Sequence, residues 1–282
     1  MLILPSIILC SIATSLSLFL MLYIIYFIVV HEFLLVSKDF SLKAMASLFN
    51  ILILTGNFSS AGFSIFMGAQ RFYAEVDSPL QKAMGIIAGF TVALSEYCYL
   101  RYTWARGSDI VRRQFKFAFS GMSLFVKLMP IPLITECVAT ALHTVEPDST
   151  VYTLIYFGIH SVVGALIIAF DSIMLSSFIQ CLRNTHMEEE AASKDLLMIS
   201  WYGIGSTLLC FAMIAVFVGA GIVESLEVSN FLFSVIAVFM SLVFFMLTMM
   251  KIRIIHQSRG SSAQSISISI TKQVSSRTYN GP

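Results

Sequence analysis

The sequence predicts an all-α membrane protein: a single bundle of seven transmembrane helices, with its N-terminus outside and its C-terminus in the cytosol. Three observations carry that prediction. The chain of 282 residues is 57% hydrophobic and only 12% charged, against about 25% charged in soluble globular chains; its mean hydropathy is +0.86. Too little polar surface is left to cover a water-soluble fold. Seven stretches reach the roughly 20 apolar residues that a helix needs to cross the hydrocarbon core. Of the 17 Lys and Arg residues, 14 fall on one side of those stretches. The formal charge of +1 also excludes a strongly basic nucleic-acid binder.

The first span, about Leu2–Val30, is an apolar run of 29 residues with no basic leader, far longer than the roughly 7–15 residues of a signal-peptide core. It reads as an uncleaved helix, with no ectodomain expected ahead of it. The second, about Ala44–Ala69, contains Gly56-Asn57-Phe58-Ser59-Ser60-Ala61-Gly62, whose small residues suit close helix packing. The third, about Ala83–Tyr102, carries Glu96 and ends beside Arg101. The fourth, about Phe117–Leu142, holds Lys127, Glu136, Pro130 and Pro132; the prolines should kink the helix and free carbonyls towards the bundle interior. The fifth, about Val151–Cys181, carries His160 and Asp171, whereas the sixth (Leu196–Val223) and seventh (Val228–Met250) contain no charged residue. Connections are short, so neighbours run antiparallel and residues 1–257 form one domain. Residues 258–282, rich in Ser and dotted with Arg259, Lys272 and Arg277, read as a disordered cytosolic tail of the kind that phosphorylation modifies.

The orientation follows from the basic residues. The connections after the first, third and fifth spans, together with the tail, hold the 14; Arg71 and Lys82 lie on the other side and Lys127 within a span. The positive-inside rule then puts the tail in the cytosol, and acidic connections around Glu146–Asp148 and Glu224–Glu227 fall outside. The plasma membrane is the expected location and the lipid bilayer the first partner. Cys10, Cys98, Cys137, Cys181 and Cys210 sit in or near spans, which gives no disulfide framework and suits packing as small apolar groups.

Several chemistries are excluded. Of the five histidines only His160 is deep, so no zinc cage and no other metal site is expected. The last span offers no lysine for a retinal Schiff base, and no glycine loop cradles phosphate. Gly62-Phe63-Ser64 with His160 matches an intramembrane serine protease poorly, because Ile65 follows where such a site needs glycine. Neither a cofactor nor enzymatic activity is expected.

Ionisable groups inside spans are the candidates for function. Lys127 and Asp171 lie roughly 16 Å and 15–18 Å from the inner edge by helical rise, level enough to form a midplane ion pair that either locks two helices or works as a relay. Glu136 and His160 stand roughly 9 and 13 Å from the outer edge; with Tyr156 and Asn57 they are the expected ligand-binding residues for a small molecule entering from outside. Asn57 is open to a second reading as a packing position. Glu96, about 7 Å from the inner edge, is read as reaching Arg101 or cytosolic water. Arg101, Tyr102, Arg106, Arg112 and Arg113 would form a basic cytosolic platform for a partner, or a contact for anionic lipid.

Seven spans, an outside N-terminus and a cytosolic tail resemble the G-protein-coupled receptor superfamily. Leu100-Arg101-Tyr102, at the cytosolic end of the third span, is similar to the Asp-Arg-Tyr of rhodopsin-like receptors, with Leu100 in place of the acid. The stretch Ser95–Gly107 also resembles fungal seven-span proteins. The sequence lacks Asn-Pro-x-x-Tyr and any proline in the last span, the Cys-Trp-x-Pro of the sixth, and a cysteine at the outer end of the third. The resemblance implies a receptor signalling to a heterotrimeric G protein, with Arg101 as the residue that restrains the inactive state and then contacts that partner. The alternative is a small-solute or proton-coupled transporter using Asp171 and Lys127.

Overall fold

The computed structural model describes residues 2–30, 47–72, 79–146, 149–187, 194–223 and 225–278, with the backbone alone for 184–187, 194–196, 226 and 257–278. All regular structure among them is helical. Eight helices follow one another: α1 (Ile3–Phe27), α2 (Leu48–Phe72), α3 (Pro79–Gln114), α4 (Lys116–Leu128), α5 (Pro130–Val145), α6 (Thr150–Met187), α7 (Lys194–Ile222) and α8 (Leu226–Thr278). They supply seven spans long and apolar enough to cross a membrane, one for each predicted stretch, with α4 and α5 sharing the fourth.

The break in the fourth span has a local cause. Pro130 and Pro132 have no N–H to give the carbonyls of Val126 and Leu128, and a proline ring clashes with the preceding turn. α4 therefore ends at Leu128, Met129 forms the joint, and α5 restarts with Pro130 at its first position, where a missing N–H costs nothing. The sequence predicts a kinked or loosened helix here, and the structure interrupts the helix at Met129.

Two boundaries differ from the apolar windows. α3 does not stop at Tyr102; it continues to Gln114, and the chain turns at Phe115 alone before α4 begins. Hydropathy marks where apolar residues end, whereas a helix propagates wherever each added residue gains a hydrogen bond. α8 likewise continues past Met250, to Thr278.

The helices form a ring in which α1 packs on α2 and α8, α2 on α3, α5 on α6, α6 on α7 and α7 on α8. α3 is the hub, touching α2, α4, α5, α6 and α7. Polarity is inverted relative to a water-soluble bundle. On α1, Ile8, Ile12, Phe19 and Leu22 are exposed while Ser6 and Ser17 are buried. Ser17, Ser60 and Ser241 meet where α1, α2 and α8 converge, with Oγ–Oγ distances of 2.9–3.3 Å. Ser241 also reaches the Ala13 carbonyl at 3.2 Å. Lipid gives helices no hydrophobic reason to associate, so such small hydroxyl residues hold them together. Gly56 lets the ring of Phe244 lie directly on α2 at the same interface.

Candidate ligand-binding cavity

A cavity opens among α2, α3, α5, α6, α7 and α8 on the side of the bundle where the chain begins. Its vestibule of about 530 Å³ is rimmed by Gln70, Arg71, Gln81 and Lys82, the last turn of α2 and the first of α3. Below it lies a chamber of about 100 Å³ lined by Tyr99, Met213, Phe217, Met240 and Phe244. Val92, Glu96, Glu136, His160 and Phe217 line both spaces and so form the neck between them.

Local structure explains why these side chains converge. Leu133, Glu136 and Ala139 recur at three-residue spacing on the buried face of α5, the stripe that a helix presents to a neighbour. That face meets α3 at Gly89, which has no Cβ to hold Thr140 away. The proline joint sets the direction in which α5 leaves α4, and Glu136 lies less than two turns beyond it.

Glu136 and His160 form an ion-pair-like contact, Nε2 to Oε1 at 3.1 Å. His160 Nδ1 lies 2.9 Å from the Tyr156 carbonyl. A carbonyl only accepts, so Nδ1 carries a hydrogen. The contact at Nε2 then needs a second hydrogen, on the imidazole or on the carboxyl. The pair is thus a holder of one proton, either as imidazolium and carboxylate or as two neutral groups. Tyr156 stacks on His143 and lies tilted against His160, with centroids 4.7 and 4.0 Å away, and Phe217 of α7 lies beyond His160 at 6.0 Å. Three of the four predicted ligand residues, Glu136, His160 and Tyr156, therefore stand together. Asn57 does not join them. It is wholly buried in α2, its Nδ2 donating to the Ile53 carbonyl at 2.8 Å, because an amide facing packed helices finds its nearest acceptor one turn back.

Glu96 belongs to the site and the sequence misplaces it. With α3 extended to Gln114, Glu96 stands 17 residues from one end of the helix and 18 from the other, roughly 26 Å along it. It lines the neck instead of reaching Arg101. The Oε2 atoms of Glu96 and Glu136 are buried without a hydrogen-bond partner among the described residues. Burying an uncompensated polar group costs roughly 1–3 kcal/mol even by protein-based scales, so this neck favours a ligand that donates.

The predicted midplane pair does not form. Asp171 is 0% exposed, and the Tyr99 hydroxyl donates to its Oδ1 at 2.8 Å. Lys127 lies on the exposed face of α4. The two agree in depth but not in direction: Lys127 faces outward, while α4 meets α6 through Phe125 stacked on Phe170, ring centroids 6.0 Å apart.

At the opposite end of the bundle the described residues of the predicted platform are largely packed against neighbouring helices. Tyr102, expected on a docking platform, is 1% exposed and its hydroxyl points to the Leu247 carbonyl at 3.4 Å. Arg106 lies over the Phe49 ring at 4.0 Å, tying α3 to α2, and Arg112 stands 5.8 Å from the Phe119 ring. Arg101 is half-buried, and of the five only Arg113 and Arg112 are exposed. These positions are part of a helix, so its turns alternate between core and surface; a loop would have presented them all. Lys251, placed beyond the last span by hydropathy, lies within it at 2% exposure and donates to Asn50 Oδ1. It lies far from the cavity.

No family model and no curated protein matches the chain. The seven apolar helices are what the structure adds to the receptor resemblance.

Proposed function

We propose that this is a receptor-like seven-helix membrane protein that takes a small ligand into the α3–α5–α6–α7 cavity from outside and signals to a cytosolic partner such as a heterotrimeric G protein. The observation that carries the reading is the cavity's asymmetry. It opens at the end where the chain begins and stops at the Tyr99–Asp171 layer, with Tyr102, Arg106 and Lys251 packed beyond. A ligand in such a site acts on helix packing, and α3 carries both Glu96 at the neck and Arg101 five residues further along. Population of a second packing arrangement by ligand is the mechanism that this geometry supports.

A proton-coupled transporter is the second reading. The Glu136–His160 pair favours it, as a proton holder close to a broken helix, a combination that transporters use. Reconstitution decides between the two. The receptor reading expects G-protein turnover in liposomes that changes on Arg101→Gln, and proton flux no greater than that of empty liposomes. Flux well above that control, with no turnover, would overturn it.

A further inference from the structure

We infer that the deep chamber is a binding site for a small organic monocation, a protonated or quaternary amine with a compact apolar body, held by Glu96 and Glu136. The inference rests on the cavity being the ligand site of a receptor-like protein and names the class of ligand it takes. The two carboxyl groups line the same chamber, and one oxygen of each is buried with no partner among the described residues. Glu136 is only 5% exposed, and its contact with His160 uses Oε1, leaving Oε2 buried without a partner among the described residues. Buried acceptors require donors or a positive charge.

A metal ion fits poorly. Among the described residues no three His, Cys, Asp or Glu side chains stand close enough to hold one, and hard cations require six or more oxygen ligands. The rest of the lining points to an organic ion. Phe217 and Phe244 present aromatic rings and Met213 and Met240 present thioethers; ring faces attract alkylammonium groups, and methionine adapts to irregular apolar bodies. Of the other titratable groups at the cavity, His160 stands in the neck against Glu136, and Tyr99 and Cys210 line the chamber; the rest are Arg71 of α2, Lys82 of α3, His143 of α5 and Tyr156 of α6. These last four line the vestibule above, so an anion attracted to Arg71 and Lys82 meets two carboxyl groups at the neck and goes no deeper.

The test uses the full chain in lipid nanodiscs, titrated calorimetrically and melted with tetramethylammonium, benzylammonium, benzyl alcohol and benzoate. Both cations should raise the melting temperature, and benzylammonium should bind at least about tenfold more tightly than its neutral and anionic counterparts. Glu96→Gln and Glu136→Gln should each narrow that ratio, and the double variant should remove it. The charge ranking on the unmodified protein needs no variant to fold. Benzyl alcohol or benzoate binding as tightly as benzylammonium, or failure of both cations to stabilise the protein, overturns the inference. If that happens while turnover still responds to Arg101→Gln, the receptor reading survives; cation binding without turnover has the opposite meaning.

Discussion

A carboxyl group in the interior of a membrane bundle is stabilised by a group that donates to it, and at Asp171 the donor is the Tyr99 hydroxyl, 2.8 Å away. Tyr99→Phe removes that donor and leaves the acceptor buried, a loss of about 1–3 kcal/mol. Asp171→Asn should cost less, because an amide oxygen accepts the same bond. Lys127→Met, on the exposed face of α4, should stay within about 0.5 kcal/mol of the parent. A double-mutant cycle read by unfolding in detergent separates these roles. Tyr99 and Asp171 should couple by about 0.5–3 kcal/mol, and Lys127 and Asp171 should be additive within about 0.3–0.5 kcal/mol. Strong coupling between Lys127 and Asp171 would mean that the two do meet. Depth along a helix is readable from sequence because the rise per residue is constant; the facing direction is not, because it depends on which neighbour each helix packs against. That is why Lys127 and Asp171 read as partners while Tyr99 went unnoticed.

Helix contacts add two expectations. Ser241 touches Ser17 and Ser60 and bonds to the carbonyls of Ala13 and Ala237, so Ser241→Ala should destabilise the α1–α2–α8 junction by about 0.6–1.7 kcal/mol, the range for interhelical hydrogen bonds in lipid. Equal stability of the two proteins in a steric-trap or denaturant assay would remove the serines' role as glue. At Gly56 an added methyl would fall on the Phe244 ring, and that ring lines the deep chamber. The ring can turn into the empty space, so Gly56→Ala should cost less than the roughly 1–3 kcal/mol of ordinary overpacking but weaken benzylammonium binding. Unchanged binding would show that the ring does not move inward. The small-residue run of α2 was legible because Gly56 to Gly62 are contiguous. Its partner Ser241 was not, being 181 residues from Ser60 within an otherwise apolar span. The proline joint was legible for the opposite reason: its cause lies within four residues of its effect.

Over the whole molecule, the seven spans were readable because the bilayer imposes one length and one polarity on every helix. The cavity was only partly readable. Glu136 and His160 announce themselves by being costly in lipid, and Tyr156 follows as a helical neighbour of His160, but the depth of Glu96 depends on α3 running to Gln114. The distribution of charge gives the remaining expectation. Since 14 of 17 basic residues lie towards one side, insertion should leave that side in the cytosol and the cavity mouth, on the opposite side, facing out. A tag on Met1 should then be cut by protease added to intact cells, and a tag on Pro282 should be protected. The mouth can be probed directly. Gln81 lines the vestibule rim, so Gln81→Cys should react with a membrane-impermeant maleimide from outside. Four of the native thiols, Cys10, Cys98, Cys181 and Cys210, are buried and Cys137 is half-buried, 8 residues from the Val145 end of the fourth span, so labelling of the unmodified protein supplies the background. Tetramethylammonium, if it occupies the chamber below, should leave labelling at this rim position largely intact, because Gln81 lines the vestibule and not the chamber. Labelling only after the cells are opened, together with cleavage of the Pro282 tag from outside, would invert the molecule, placing the cavity mouth on the cytosolic side and leaving a receptor for external ligands without its entrance.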